Sequence, residues 1–237
     1  GTTKKEWHYG YRAHIICDAK YGLPIKSKVT PANNSEQTEL DNILKEMDNN
    51  EERYKLEKMK NLMGDAGYES GVRNKKLKEE YNINPIIDIK HIWDKEEKYK
   101  EIENQMIAYN EEGEVFYIVD LDNYEKMKYL GYDKENNALR YTRYKTGKKI
   151  YRVPLETDYR IFTPIARDSK KFKKKYKMRT EIERLNGRID RDYMFNDHFI
   201  RGQKKMELML NLTFIVMLTI AKGHIRNEQK NIRSLVA

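Results

Sequence analysis

Apolar residues in the first third of the chain follow two spacings, one typical of strands and the other of helices. Residues 11–18 and 23–31 are short runs with the composition of β-strands. The turn-forming residues 19–22 between them predict a β-hairpin. Ser35 stands where a helix N-cap is expected. The residues after it place these apolar side chains on one helical face: Leu40, Ile43, Leu44 and Met47. The pattern therefore predicts a hairpin followed by a helix.

The alternation of strands and helices continues to about residue 90. A short strand is predicted at 61–64, a helix at 70–81 and a further strand at 82–89. The resulting order is strand, strand, helix, strand, helix, strand. This alternation is typical of α/β folds, so we predict that class.

The pattern changes between residues 92 and 158, where Tyr-rich runs are separated by charged turns. Runs of this kind stand at 114–120, 139–145 and 149–153. They predict a mainly antiparallel β structure, with one helix at 123–129. We therefore predict two domains, a core formed by residues 1–91 and 159–237 and a β-rich insertion subdomain formed by residues 92–158.

The last third of the chain is predicted to be helical after one short strand at 159–164. A basic helix is expected over 172–190 and an apolar helix over 202–222. The apolar run 206–221 is shorter than the roughly 20 residues that a bilayer needs, and it contains Glu207. This run therefore predicts a buried helix rather than a membrane span.

The charge of the chain points to a polyanionic partner. The sequence carries 47 Lys and Arg against 38 Asp and Glu, a formal net charge of +9. Solvated Lys/Glu faces produce part of such an excess, but the lysines cluster between residues 170 and 177, which favours nucleic acid. Cys17 is the only cysteine. It therefore excludes a disulfide framework and a Cys-based zinc site, and it favours a reducing cytoplasm.

Two separated segments contain the candidate chemistry. Asp65 stands where a strand ends in a glycine-flanked turn, and Tyr176, Arg179 and Glu183 follow one another at i, i+3 and i+7, which predicts one stripe of a helix. An Asp in such a turn commonly bonds local amides, and an Arg–Glu pair at i, i+4 is common on a charged helix. Carboxylates from different elements in a basic chain nevertheless indicate metal-dependent chemistry on a phosphate backbone.

The basic residues around the second segment predict a phosphate-contacting surface. A run of lysines is most often a solvated face, but this run surrounds Phe172 and Tyr176 and precedes the candidate Glu183. The predicted DNA-binding residues are Tyr176, Arg179, Lys173, Lys174, Lys177, Arg184 and Arg188.

Taken together and in this order, the motifs resemble the DDE transposases of bacterial insertion sequences, in the branch with a Y-x2-R-x3-E-x6-K signature. Tyr176, Arg179 and Glu183 match the signature, and residues 64–70 are similar to the D-x-G-Y-x-S segment that holds the family's second catalytic Asp. Residues 7–18, 22–24 and 29–33 look like the family's second and third strands.

This resemblance implies a fold and a reaction. The fold would be an RNase H-like mixed sheet flanked by helices, with a β-rich insertion before the C-terminal catalytic helix. Asp65 and Glu183 would be the catalytic metal ligands for two Mg²⁺ or Mn²⁺ ions, and Tyr176 and Arg179 would contact DNA. The implied partners are insertion-sequence ends and target DNA, with a homodimer engaged on DNA in the cytoplasm, associated with the nucleoid.

The sequence departs from the family pattern at three places. The family's first catalytic Asp lies on a strand before the segment that opens this chain, so we expect an N-terminally incomplete active site, with Asp18 as a candidate stand-in. Asp190 occupies the position of the signature Lys, between Arg188 and Arg191. Residues 34–36 replace a His-Asp pair that often follows the T-P-A-N segment.

These departures leave two alternatives to an active transposase. One is a catalytically inactive DNA-binding remnant that retains the fold and the basic surface. The other is an RNase H-like nuclease unrelated to mobile elements.

Overall fold

The computed structural model describes residues 10–49, 51–94, 97–120, 123–144, 147 and 149–233. Residues 7–9, which contribute to the family resemblance, lie outside them. The described elements are mixed α/β, which confirms the predicted fold class. The chain divides into two compact units, residues 1–47 with 178–237 and residues 48–177.

The first unit begins with the predicted hairpin. Strands β1 (Tyr11–Cys17) and β2 (Pro24–Pro31) pair antiparallel. The turn is closed by Asp18, whose Oδ1 accepts hydrogen bonds from the amides of Lys20 and Tyr21 at 2.9 and 2.6 Å. Gly22 adopts a φ of +60°, and an added Cβ there would lie 3.0 Å from Glu181 Oε2. The turn therefore requires glycine at this position.

Helix α1 (Glu36–Asp48) follows the hairpin as predicted. It buries the expected apolar face, formed by Leu40, Ile43, Leu44 and Met47. Lys28 on β2 holds the helix through Glu46 at 2.7 Å and Glu39 at 3.4 Å.

Helices α5 (Thr180–Asp192) and α6 (Gln203–Arg226) complete the first unit. Their shared core consists of Val29, Leu185, Ile189, Met206, Leu210, Phe214 and Met217. By length and composition alone, α6 is long and apolar enough to cross a membrane. In the structure 33% of its most apolar stretch is buried inside the protein. Its other side exposes Leu208, Leu212, Ile215, Val216 and Leu218. The prediction of a buried helix is thus correct for one stripe only, because a helix that is apolar all round does not show which face is covered.

The second unit contains a parallel strand pair. Helix α2 (Arg53–Lys58) leads into β3 (Asn61–Gly64), and helix α3 (Gly71–Glu79) connects β3 to β4 (Asn84–Ile87). Gly64 is paired with Ile87 at the end of the ladder. The two strands therefore end at the same edge, where ligand sites gather in α/β folds.

A six-stranded antiparallel sheet occupies most of the region predicted to be β-rich. Its strands are β5 (Lys100–Glu101), β6 (Ile107–Tyr109), β7 (Val115–Asp120), β8 (Asn123–Asp133), β9 (Ala138–Arg143) and β10 (Ile150–Pro154). Its core includes Ile107, Val115, Met127, Tyr141 and Val153. All six strands fall within residues 92–158. The division of the chain into a core and an insertion subdomain at those boundaries stays a prediction.

The structure corrects three predicted elements. Residues 123–129 belong to β8 rather than to a helix, because they pair with β7 on one side and β9 on the other. Residues 159–164 form a turn rather than a strand, since the Asp158 carbonyl accepts from the amides of Ile161 and Phe162 at 3.0 and 2.7 Å.

The third correction concerns the basic helix predicted over 172–190. It is divided into α4 (Lys170–Tyr176), a 3₁₀ turn (Lys177–Arg179) and α5. Lysines repeated at i, i+3 and i+4 repel one another, which disfavours a continuous helix through this region.

Candidate functional site

Asp65 lies directly after β3, at the carboxyl edge of the parallel pair. Its side chain is exposed, and its Oδ1 accepts a hydrogen bond from the Gly67 amide at 2.9 Å. This bond caps the 3₁₀ turn Ala66–Tyr68. Asp65 therefore bonds a local backbone amide, as an Asp in a turn commonly does. Its other oxygen, Oδ2, has no hydrogen-bond partner among the described residues. One carboxylate oxygen therefore remains for a ligand.

Asp88 stands in the matching place after β4. Because Gly64 is paired with Ile87, Asp65 and Asp88 are the next residues of two strands that end side by side. The Asp88 amide donates to the Gly64 carbonyl at 3.3 Å, and its Oδ1 accepts from the Ile89 amide at 3.0 Å. Asp88 is not among the predicted site residues, although an Asp after a second short apolar strand is a signal that could have marked it.

Tyr176 reaches this edge from α4. Its hydroxyl donates to Asp88 Oδ2 at 3.2 Å in a solvent-exposed hydrogen bond. Its ring is stacked with Phe172 at a centroid distance of 6.1 Å, and Phe172 is buried with Ile86. Packing of α4 on β4 therefore brings a predicted DNA-binding residue to the strand ends that carry Asp65.

Buried Arg167 fixes the backbone behind this edge. Its Nη1 donates to the Ile87 carbonyl at 2.6 Å and its Nη2 to the Arg160 carbonyl at 2.7 Å. Burial lowers the pKa of Arg167 to about 10, while the negative charge of Asp88 opposes the shift. The guanidinium thus stays protonated at neutral pH and ties the end of β4 to the 159–164 turn. No local pattern in the sequence marked this residue.

In the other unit, Glu183 and Arg179 form an ion pair. Arg179 Nη1 lies 2.7 Å from Glu183 Oε1, and the Glu183 side chain is 56% exposed. Both residues stand at the start of α5, in reach of solvent. The pair leaves Glu183 accessible to a ligand, because such exposed i, i+4 contacts are weak.

Glu181 differs sharply from Glu183, two residues away. Its side chain is only 10% exposed and makes ion pairs with Arg184 and with Arg233, the latter at 2.9 Å. Glu181 is therefore a structural acid inside the first unit. The predicted DNA contact Arg184 is engaged by this acid, although its own side chain remains 65% exposed.

Two further basic residues of α5 have structural partners. Arg188, a predicted DNA contact, donates through Nη2 to the Gly22 carbonyl. Burial lowers the pKa of Arg188, and the positive charge of Arg233 lowers it further. Arg191, a neighbour of Asp190 at the signature Lys position, is paired with Asp192 at 2.6 Å. Asp18, the candidate stand-in carboxylate, holds the hairpin turn.

The lysines of α4 and the 3₁₀ turn form an exposed basic surface, which we call the α4 lysine surface. Its members are Lys170, Lys171, Lys173, Lys174 and Lys177. In the part of the chain that the structure describes, Lys170, Lys171 and Lys174 have no carboxylate within 4 Å. The first turn of α4 carries no acidic residue, so this helix start is electrostatically unfavourable by itself.

The donor chemistry of the site fits a hard divalent cation. Within the described ranges, no group of three or more His, Cys, Asp or Glu residues is placed to hold a metal ion. Mg²⁺ is usually bound by one or two carboxylates together with water and substrate phosphate oxygens, so a smaller protein contribution suffices. Asp65 supplies such an oxygen at one strand end.

Comparison with known proteins identifies one family. The model of the transposase DDE domain family matches residues 1–219. No curated protein and no solved structure is significantly similar to this chain.

Proposed function

Because the chain belongs to the transposase DDE domain family, we propose that it is the catalytic domain of an insertion-sequence transposase. In this proposal it carries out metal-dependent cleavage and strand transfer of DNA. The observation that carries the proposal is the placement of the Tyr176 hydroxyl, from the signature segment, at the strand edge that bears Asp65. The mixed α/β architecture is consistent with an RNase H-like DDE fold.

Asp65 and Glu183 are the proposed catalytic residues and metal ligands. Both are exposed acids, Asp65 at a strand end and Glu183 at the start of α5. Two bound Mg²⁺ or Mn²⁺ ions would activate water or a DNA 3′-OH and stabilise the leaving oxygen of an in-line displacement. The protein's own part is to keep these carboxylates accessible to solvent and to ligands.

The DNA backbone is proposed to lie along the α4 lysine surface. Lys173, Lys174 and Lys177 supply positive charge, Tyr176 donates a hydrogen bond, and Arg179 moves from Glu183 to phosphate. Arg184 and Arg188 are weaker DNA contacts in this proposal, because each already has a partner within the protein. Arg184 forms an ion pair with Glu181, and Arg188 donates to the Gly22 carbonyl. Such phosphate contacts provide affinity without sequence information.

We also propose that the protein acts as a homodimer on DNA in the cytoplasm. The exposed apolar residues of α6, such as Leu212 and Ile215, offer a surface that a second copy could cover. Sedimentation velocity with and without duplex DNA tests this, and a monomer in both states would contradict it.

The competing proposal is a catalytically inactive DNA-binding remnant. It is favoured by the lack of a three-residue metal cluster among the described residues. Electron paramagnetic resonance of Mn²⁺ with a short DNA duplex separates the two. A transposase should bind Mn²⁺ in a manner that Asp65→Asn and Glu183→Gln each weaken, while the exposed-surface control Asn186→Ala leaves it unchanged. A remnant should bind the duplex but show the same Mn²⁺ affinity in all four proteins.

A further inference from the structure

The contact between Tyr176 and Asp88 joins a residue proposed to bind DNA to an acid that the proposed mechanism does not use. The hydrogen bond is 3.2 Å long and exposed to solvent. Asp88 is held in place independently of Tyr176, because its Oδ1 accepts from the Ile89 amide and its own amide donates to the Gly64 carbonyl. Asp88 is thus a hydrogen-bond acceptor whose position does not depend on Tyr176.

This contact conflicts with phosphate binding. A phenol has one proton to donate, and phosphate oxygens only accept. While the Tyr176 proton is given to Asp88, it cannot be given to DNA. A phosphate that approached the hydroxyl would also come close to the negative charge of Asp88, and like charges at this range repel.

We propose that Asp88 is a positioning residue that withholds the Tyr176 hydroxyl from DNA. The inference rests on the proposed function of Tyr176 as a phosphate contact. Without DNA, Asp88 holds the hydroxyl at the β3–β4 edge. The hydroxyl must leave Asp88 before it can bind a phosphate, which weakens binding to an arbitrary stretch of DNA backbone. Only DNA that is bound well by the α4 lysine surface and Arg179 displaces the hydroxyl from the acid.

The chain contains a matched control for this contact. The Tyr159 hydroxyl donates to Glu79 Oε1 at 2.6 Å, also in an exposed position. Neither residue belongs to the proposed DNA contacts. Replacing Glu79 by Gln therefore makes the same change of charge and the same loss of a Tyr–carboxylate bond elsewhere in the unit.

The test measures binding of a short fluorescein-labelled DNA duplex to the full chain by anisotropy, in EDTA and at fixed salt. The proteins are wild type, Asp88→Asn, Tyr176→Phe and the double variant, with Glu79→Gln and Tyr159→Phe as controls. An Asn side chain keeps the oxygen that accepts from the Ile89 amide, and thermal unfolding checks that each variant folds. Asp88→Asn should tighten binding by about threefold, the scale of one exposed charge interaction.

The two tyrosine variants show whether Asp88 acts through Tyr176. Tyr176→Phe alone should change affinity little, because the hydroxyl is already committed to Asp88. The same substitution in the Asp88→Asn background should remove most of the gain. Glu79→Gln and Tyr159→Phe should each leave the dissociation constant nearly unchanged.

Several results would overturn the inference. A gain for Asp88→Asn no larger than that for Glu79→Gln, or equal gains with and without the Tyr176 hydroxyl, would mean that only net charge matters. Should Asp88→Asn fail to fold, a marked loss of affinity in Tyr176→Phe alone would show that the hydroxyl is not withheld. Wild-type protein that binds the duplex weakly and without salt dependence would instead contradict the proposed function itself.

Discussion

Arg179 Nη1 and Glu183 Oε1 form an ion pair across a distance of 2.7 Å. An ion pair at i, i+4 with a partly exposed acid contributes only about 0.3–0.5 kcal/mol, so Glu183 can leave it at small cost. The pair therefore leaves the Glu183 carboxylate accessible to solvent.

Arg179→Gln is predicted to weaken DNA binding and its dependence on salt. Loss of one phosphate contact should reduce the slope of log affinity against log salt by about 0.9. Anisotropy titrations over a range of salt concentrations measure the slope. The exposed Arg201→Gln is the control, and an equal effect of that substitution would contradict a specific role for Arg179.

The α4 lysine surface predicts a strong salt dependence. Replacing Lys173, Lys174 and Lys177 together by Gln should lower the salt slope by about 2.7, since each lost phosphate contact accounts for about 0.9. The same change of net charge at the exposed residues Lys45, Lys58 and Lys60 is the control. Equal losses in the two triple variants would show that DNA responds to the overall charge and not to this surface.

Glu181 and Glu183 are predicted to differ in their effects on stability. Glu181→Gln breaks two ion pairs of a buried acid with partly exposed arginines, which should cost about 1–3 kcal/mol. Glu183→Gln should cost less than ~0.5 kcal/mol. Thermal denaturation of the two variants should therefore show a fall in Tm of several degrees for Glu181→Gln only. Equal Tm values would mean that the Glu181 contacts contribute nothing.

Cys17 is predicted to react slowly with alkylating agents. Burial, together with the negative charges of Asp18 and Glu181, raises the pKa of its thiol to about 11. A raised pKa disfavours the reactive thiolate, so the fraction of thiolate at pH 8 should be roughly 100-fold below that of an ordinary cysteine. The rate of iodoacetamide modification should rise continuously up to about pH 11. A rate that levels off near pH 9 would contradict the assigned environment.

Local patterns predicted those elements whose formation depends on neighbouring residues. The β1–β2 hairpin, α1, β3, α3 and β4 follow from alternation and turn residues. In the structure Ser70 also caps α3, since its side chain accepts from the Arg73 amide. The segment 123–129 was mispredicted because Glu, Lys and Met favour helices in isolation. Pairing with β7 and β9 decides its structure, and strand preference depends strongly on such partners.

The site shows the same limit. Asp65 could be predicted as a candidate because a strand end and a turn are local features of the sequence. The difference between Glu181 and Glu183 could not be predicted, since it depends on Arg233, which is 52 residues beyond Glu181. The contact that Asp88 makes likewise depends on Tyr176, which is 88 residues away in the chain.

We propose that Asp65 and Glu183 hold the same metal ions. Iron-directed cleavage tests this most directly, because Fe²⁺ bound in place of Mg²⁺ reduces added hydrogen peroxide to hydroxyl radicals that cut the polypeptide beside the metal. A short DNA duplex should be present, since phosphate oxygens complete the coordination of such ions. We predict cuts near residues 65 and 183, both suppressed by excess Mg²⁺ and both lost in Asp65→Asn. Cleavage near residue 183 that persists in Asp65→Asn would contradict a shared site.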